Sequence, residues 1–81
     1  MKSSEPQNEM VYCDCCKYDT ILNHYDYEIC PICYWEDDQY GGANSVTLSE
    51  GQKNFELFGA SEERFIRNVR KPNENDKREI L

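Results

Sequence analysis

The sequence predicts a small metal-stabilised α+β fold, with a β-hairpin carrying two cysteine turns and two short α-helices after it. Three observations lead there. The chain has 81 residues, of which 38% are hydrophobic and 31% charged, and so short a chain rarely holds together on apolar packing alone. Its five cysteines, Cys13, Cys15, Cys16, Cys30 and Cys33, fall within 21 residues. Four of the five form two C-x-x-C pairs, the spacing of a tetrahedral thiolate site.

The first nine residues are polar and aperiodic. Residues 1–10 are expected to be a flexible arm. The domain proper is expected over residues 11–72. Residues 13–16 form the first cysteine turn. The stretch from Tyr18 to Cys30 alternates loosely around Asn23, His24, Tyr25 and Asp26. Asparagine and aspartate favour turns. The flanks near Ile21–Leu22 and Tyr27–Ile29 are therefore expected to pair as a short hairpin. Residues 30–33 form the second turn.

Residues 36–46 combine acids, two glycines and an asparagine and read as a loop. Thr47 and Glu50 have the spacing of a capping box, so a helix begins there. Leu48, Phe55 and Phe58 share one face, with Leu57 at its margin. Gly59 stands where a glycine C-cap belongs. Ser61 is the expected N-cap of a second helix, with Glu62 and Glu63 in its first turn. Phe65, Ile66 and Val69 give that helix a narrow apolar stripe, and Pro72 ends it. Residues 73–81 are expected to be a disordered charged tail.

Cys13, Cys16, Cys30 and Cys33 are the predicted metal ligands. A C-x-x-C turn aims two sulfurs at one point, and two such turns complete a tetrahedron of the kind structural Zn²⁺ occupies. This is the geometry of a zinc-ribbon-like hairpin with two zinc knuckles. One structural Zn²⁺ is the expected cofactor, with iron as the lesser alternative. Such an ion supplies about 10–16 kcal/mol of apparent folding free energy in small modules. Cys15 is the surplus cysteine, expected to be a small, partly buried side chain. His24, at the predicted turn, is expected to lie on the surface.

Together the segments around Cys13–Lys17, Tyr27–Asp38 and Leu48–Pro72 resemble the small bacterial cysteine-rich CPCC family. The resemblance runs from about Val11 to Pro72. It implies a zinc-ribbon or rubredoxin-type knuckle protein that binds zinc. The family's first turn usually reads Cys-Pro-Cys-Cys-Gly, where this chain has Asp14 for the proline and Lys17 for the glycine. Glycine is suited to the positive φ such turns often use. Trp35 and the run Glu36-Asp37-Asp38 also fit the family's pattern. Trp35 is read first as packing between the ribbon and the helices.

The formal charge is −7 at neutral pH. That argues against general nucleic-acid binding, which needs a cationic face, and it suits a partner with a basic surface. No apolar leader or membrane span is visible, so the cytoplasm, where thiols stay reduced, is the expected location. Four sulfur ligands leave zinc no open position, and no nucleophile–base pair is apparent, so no enzymatic activity is expected. The functional expectation is a zinc-stabilised acidic module that binds an unidentified protein partner. An inhibitor, immunity or antitoxin role is one form of that binding. The expected partner surface is Tyr34, Trp35, Glu36, Asp37 and Asp38. The alternatives are a rubredoxin-like electron carrier with iron on four cysteines and a nucleic-acid-binding zinc ribbon.

Overall fold

The computed structural model describes residues 10–79. Almost all of the predicted N-terminal arm lies outside these residues. Their element order is β1 (Val11–Tyr12), β2 (Asp19–Ile21), α1 (Leu48–Phe58) and a 3-10 helix over Glu63–Asn68. This is a small α+β arrangement in which the two cysteine turns form the centre and the helical segments pack around them.

The hairpin differs from the sequence expectation. β1 pairs antiparallel with β2, in the register Val11 with Ile21 and Tyr12 with Asp19, with an irregularity between the two positions. The first cysteine turn is therefore the loop of its own hairpin. The second turn is closed in the same way by an isolated bridge between Ile29 and Glu36. The expected pairing of Ile21–Leu22 with Tyr27–Ile29 does not form. Instead the Glu28 carboxylate accepts from the Leu22 and Asn23 amides. A C-x-x-C turn reverses the chain within four residues, so the nearest partner for each flank is its own other flank.

Helix α1 follows the sequence closely. Thr47 accepts from the Glu50 amide and Glu50 accepts from the Thr47 amide, which completes the capping box. Gly59 ends the helix at φ 86° and donates to the Phe55 carbonyl. Leu48 and Phe55 pack on the core, while Leu57 is largely exposed.

The second helix is 3-10 rather than α, and Ser61 does not cap it. Its N-cap position is Glu62, with no side-chain capping bond. Ser61 is fully buried, and its amide donates 2.7 Å to the Cys33 carbonyl. That bond fixes the chain to the second cysteine turn before a helix can start. Only Phe65, Ile66 and Val69 are apolar in this segment, too narrow a stripe to anchor a full α-helix.

Residues 73–79, within the expected charged tail, make specific contacts with the domain. Tyr18 and Arg78 form an antiparallel bridge. The Asp19 amide donates to the Lys77 carbonyl, and the Glu79 amide donates to the Lys17 carbonyl. Arg70 and Asp76 form an ion pair of 2.8 Å. Among the described residues, no helix is long and apolar enough to cross a membrane.

The core is small and unusual in make-up. Its buried side chains are the five cysteines with Ile21, Ile32 and Trp35. Val11, Tyr18, Val46, Leu48 and Phe55 close over it. Sulfur takes the place that aliphatic side chains hold in a larger domain.

Candidate metal centre

The two cysteine turns are near copies of one another. In the first, the Lys17 amide donates to the Cys13 carbonyl and the Cys13 amide donates to the Tyr18 carbonyl, at 2.7 and 2.9 Å. In the second, Tyr34 donates to Cys30 and Cys30 donates to Trp35, at 2.8 and 3.0 Å. The residue after each second cysteine, Lys17 or Tyr34, has φ 69°. Each turn thus folds back on itself and directs its two sulfurs to the same side.

The predicted ligands meet. The Sγ atoms of Cys13, Cys16, Cys30 and Cys33 all lie within 4.8 Å of one another. Cys13 Sγ and Cys33 Sγ are 3.5 Å apart, and Cys16 Sγ and Cys30 Sγ are 3.7 Å apart. A tetrahedron with metal–sulfur bonds of about 2.3 Å has edges of about 3.8 Å. These two edges fit that solid, and the remaining sulfur pairs lie within 4.8 Å. Both edges are far longer than the S–S bond of about 2.05 Å in a disulfide, and all five cysteines are free. All four ligand residues have zero solvent exposure. Four soft, fully enclosed donors gathered within 4.8 Å can hold one metal ion, and a borderline-soft divalent cation matches them.

Protonation follows the same geometry. Without a cation, four sulfurs in one enclosed space cannot all be charged. Cys30 is the one held low, because Cys13, Cys16 and Cys33 all hydrogen-bond to it and Thr20 adds a hydroxyl. The Cys13 thiol is pushed up by its hydrogen bonds with Cys16 and Cys30 and by burial. The Cys33 thiol is pushed up by Cys13, Cys15 and Cys30 together with burial. At Cys16 the bond with Cys13 acts downward, but Cys30, Cys33 and burial outweigh it and the thiol is raised. A cation held by the four sulfurs would remove this difference, since a coordinated thiol is deprotonated outright.

Supporting contacts hold the sulfurs in place. The Ile32 amide donates to Cys30 Sγ at 3.4 Å, and Thr20 Oγ1 lies 3.1 Å from the same sulfur. Such contacts orient ligands and spread their charge. Gln52 Nε2 donates to the Asp14 carbonyl and ties α1 to the first turn. The Arg70 amide donates to the Pro31 carbonyl and ties the chain after the 3-10 helix to the second. Arg78 Nε donates to the Cys16 carbonyl. Sequence reading missed Thr20, Gln52 and Arg78. Nothing in spacing or composition singles them out, because each acts across a long stretch of chain.

Cys15 stands outside the four-sulfur group. It is 4% exposed and lies under α1, where a Cβ on Gly51 would come 3.3 Å from its sulfur. It is more deeply buried than expected. His24 is half-buried, with its ring against Tyr12 and Tyr25, and it takes no part in the cluster.

The expected partner surface needs correction. Trp35 is 1% exposed and Asp37 fully buried, so neither can form part of an outer face. Trp35 packs between Gly41 and Gly51, the packing role read first from the sequence. Asp37 faces inward because it organises the preceding loop. Its carboxylate accepts from the Tyr25 amide, and its carbonyl accepts from the Tyr27 amide. Tyr34 packs on Phe65, with ring centroids 4.6 Å apart. Tyr34, Glu36 and Asp38 are partly exposed.

The fold and the site define a small α+β protein built around a buried four-cysteine cluster suited to a metal ion. A model of the family described as cysteine-rich CPCC matches residues 11–76. The chain belongs to the cysteine-rich CPCC family. No curated protein matches it. No solved structure matches it either.

Proposed function

We propose that this protein is a zinc-stabilised, non-catalytic module that binds a protein partner with a basic surface. One observation carries the metal part of the reading: four cysteine sulfurs, fully enclosed and within 4.8 Å of one another. Four protein ligands complete the usual shell of structural zinc and leave no position for water or substrate. An ion held this way contributes folding free energy. The formal charge of −7 supports the basic partner. An inhibitor or antitoxin role would be one form of such binding and rests on that charge alone. Reduced thiols suit the cytoplasm.

Iron fits the same four sulfurs, and the Ile32 amide and Thr20 hydroxyl at Cys30 are contacts of the kind that tune an iron–sulfur site. Elemental analysis of the full chain, purified under reducing conditions, separates the two. One zinc per chain in a colourless protein supports the structural reading. One iron with a red colour supports electron transfer instead. A folded, reduced protein with no stoichiometric metal would overturn both. Chelation of the zinc protein is expected to abolish its near-ultraviolet circular dichroism.

A further inference from the structure

We propose that the face formed by Tyr12, His24, Tyr25 and Tyr27 is the docking surface, and that it receives arginine or lysine side chains of a basic protein segment. The inference rests on the binding-module reading above and replaces the surface expected from the sequence.

Tyr12, His24 and Tyr25 form an aromatic run, and Tyr27 stands two positions beyond Tyr25 in the same loop. Six of the nine exposed large apolar residues among the described residues lie between Met10 and Ile29. Tyr12, Tyr25 and Tyr27 are 38%, 45% and 60% exposed. The His24 ring joins two of them, with centroid distances of 5.1 Å to Tyr12 and 5.4 Å to Tyr25.

The loop is held in this shape against its own backbone preference. Tyr25 and Tyr27 have φ of 63° and 61°, a left-handed conformation that bulky residues rarely adopt. The buried Asp37 maintains it by accepting both of their amides. Backbone strain of this kind clusters where a chain binds or acts. Two tyrosines in place of glycine or asparagine indicate that the rings themselves are wanted there.

Charge selects the occupant. The Tyr25 hydroxyl is shifted up from its usual range, first by the Asp14 carboxylate and further by burial and Asp37. The Asp14 carboxylate is the main negative charge acting on that hydroxyl. One cation already sits on the face, since Lys17 Nζ is 5.0 Å from the Tyr12 ring centroid. Aromatic rings beside carboxylates attract guanidinium and ammonium groups and repel phosphate backbones.

The test uses the full zinc-loaded chain and two fluorescein-labelled nonapeptides. One alternates arginine with glycine, and the other carries the neutral isostere citrulline at each arginine. Anisotropy at low salt gives affinity, and amide chemical shifts locate the site. The arginine peptide is expected to shift Tyr12, Asp14, Tyr25 and Tyr27, and the citrulline peptide to bind about tenfold more weakly. Tyr25→Asn with Tyr27→Asn keeps residues that tolerate left-handed backbone and is expected to weaken binding about tenfold. Should that double variant fail to fold, Asp14→Asn is expected to weaken binding about threefold. Tyr40→Ala, at an 88% exposed tyrosine elsewhere, is expected to change nothing. Unchanged affinity in the foldable variants, or shifts gathered around Tyr40 and Asp38, would overturn this surface and leave the basic-partner reading standing. No binding of the arginine peptide anywhere would remove both.

Discussion

Lys17 and Tyr34 share one backbone conformation, φ 69°, each directly after the last cysteine of its turn. The two positions close equivalent hydrogen-bonded loops, so the repeated geometry belongs to the turn and not to the residue type. For any residue but glycine it carries a steric cost of about 1–2 kcal/mol.

That cost makes Lys17→Gly stabilising. Relief of the left-handed strain exceeds the added freedom of the unfolded chain, about 0.4–1 kcal/mol, and the loss of the Lys17 contact with Tyr12. The expected net gain is about 0.5 kcal/mol. Lys17→Val puts a β-branched side chain in the same conformation and is expected to lose about 1 kcal/mol or more. Tyr34→Gly relieves the same strain but removes the ring packed on Phe65, so it is expected to destabilise by about 1–2 kcal/mol. Urea midpoints at a fixed zinc concentration check the order Lys17→Gly, wild type, Lys17→Val. A Lys17→Gly midpoint well below wild type would contradict it.

Gly51 is the point where α1 meets the cysteine core. A Cβ there would come 3.1 and 3.2 Å from Trp35 ring atoms and 3.3 Å from Cys15 Sγ. In an exposed helix, glycine to alanine gains about 1 kcal/mol of propensity. Here overpacking costs about 1–3 kcal/mol and outweighs it. Gly51→Ala is expected to destabilise by about 1 kcal/mol and to shift Trp35 fluorescence. Adding Cys15→Ala removes one of the crowded contacts and is expected to recover part of the loss. Metal content should stay at the wild-type level in both variants, because Cys15 lies outside the four-sulfur group. Loss of bound metal on Cys15→Ala would show that the ligand set is wrong.

The features legible in the sequence are those set within a few residues. The capping box of Thr47 and Glu50 and the glycine cap at Gly59 are local hydrogen-bond patterns, and both form as expected. The two C-x-x-C pairs converge because spacing alone orients them. Strand pairing was not legible in the same way. Asn23 to Asp26 have turn composition, but the cysteine turns close their own ladders first. Ser61 looked like a helix cap because a buried amide bond to the Cys33 carbonyl leaves no local trace. Asp37 looked like one acid in an exposed run, since its partners sit ten and twelve residues earlier.

Asp37 gives a pH dependence with a defined sign. Its carboxyl is held above the usual aspartate range, chiefly by burial, with the Tyr25 amide acting in the opposite direction. One carboxylate oxygen, Oδ1, is buried without a hydrogen-bond partner. A raised carboxyl contributes stability that is fully present below its unfolded value of about 3.9. That contribution is lost as pH rises through the higher folded value. Asp37→Asn has no such term. The stability of wild type relative to Asp37→Asn is therefore expected to fall as pH rises above the ordinary aspartate range. Comparing the two proteins at each pH cancels whatever acid does to the four-cysteine cluster in both. A difference that stays flat or grows with pH would mean that the buried carboxyl is not raised.

Arg78 ties residues 77–79 to the four-cysteine cluster. Its Nε donates 2.9 Å to the Cys16 carbonyl, and its guanidinium lies 5.0 Å over the Tyr18 ring and 5.4 Å over the Phe55 ring. Nη2 also reaches the Glu56 carboxylate, but that acid is 65% exposed and contributes little. The residue joins the end of the first cysteine turn to α1, and the matched family region ends before it, at residue 76. Arg78→Ala removes a charge-assisted hydrogen bond and two ring contacts at a quarter-exposed site. It is expected to cost about 1–3 kcal/mol. Arg78→Lys keeps the cation but not the planar fork and is expected to cost about half as much. Truncation after Asp76 also removes the Asp19 to Lys77 and Glu79 to Lys17 backbone bonds, so it is expected to cost at least as much as Arg78→Ala. Because Cys16 is held from its carbonyl side, zinc transfer to a chromophoric chelator should be several-fold faster in both Arg78→Ala and the truncated chain. Amide exchange at Asp19 reports the same clasp from the other side and should quicken with it. If Arg78→Ala and the truncation leave urea midpoint, zinc transfer and Asp19 exchange at wild-type values, the final segment is not bound to the domain in solution.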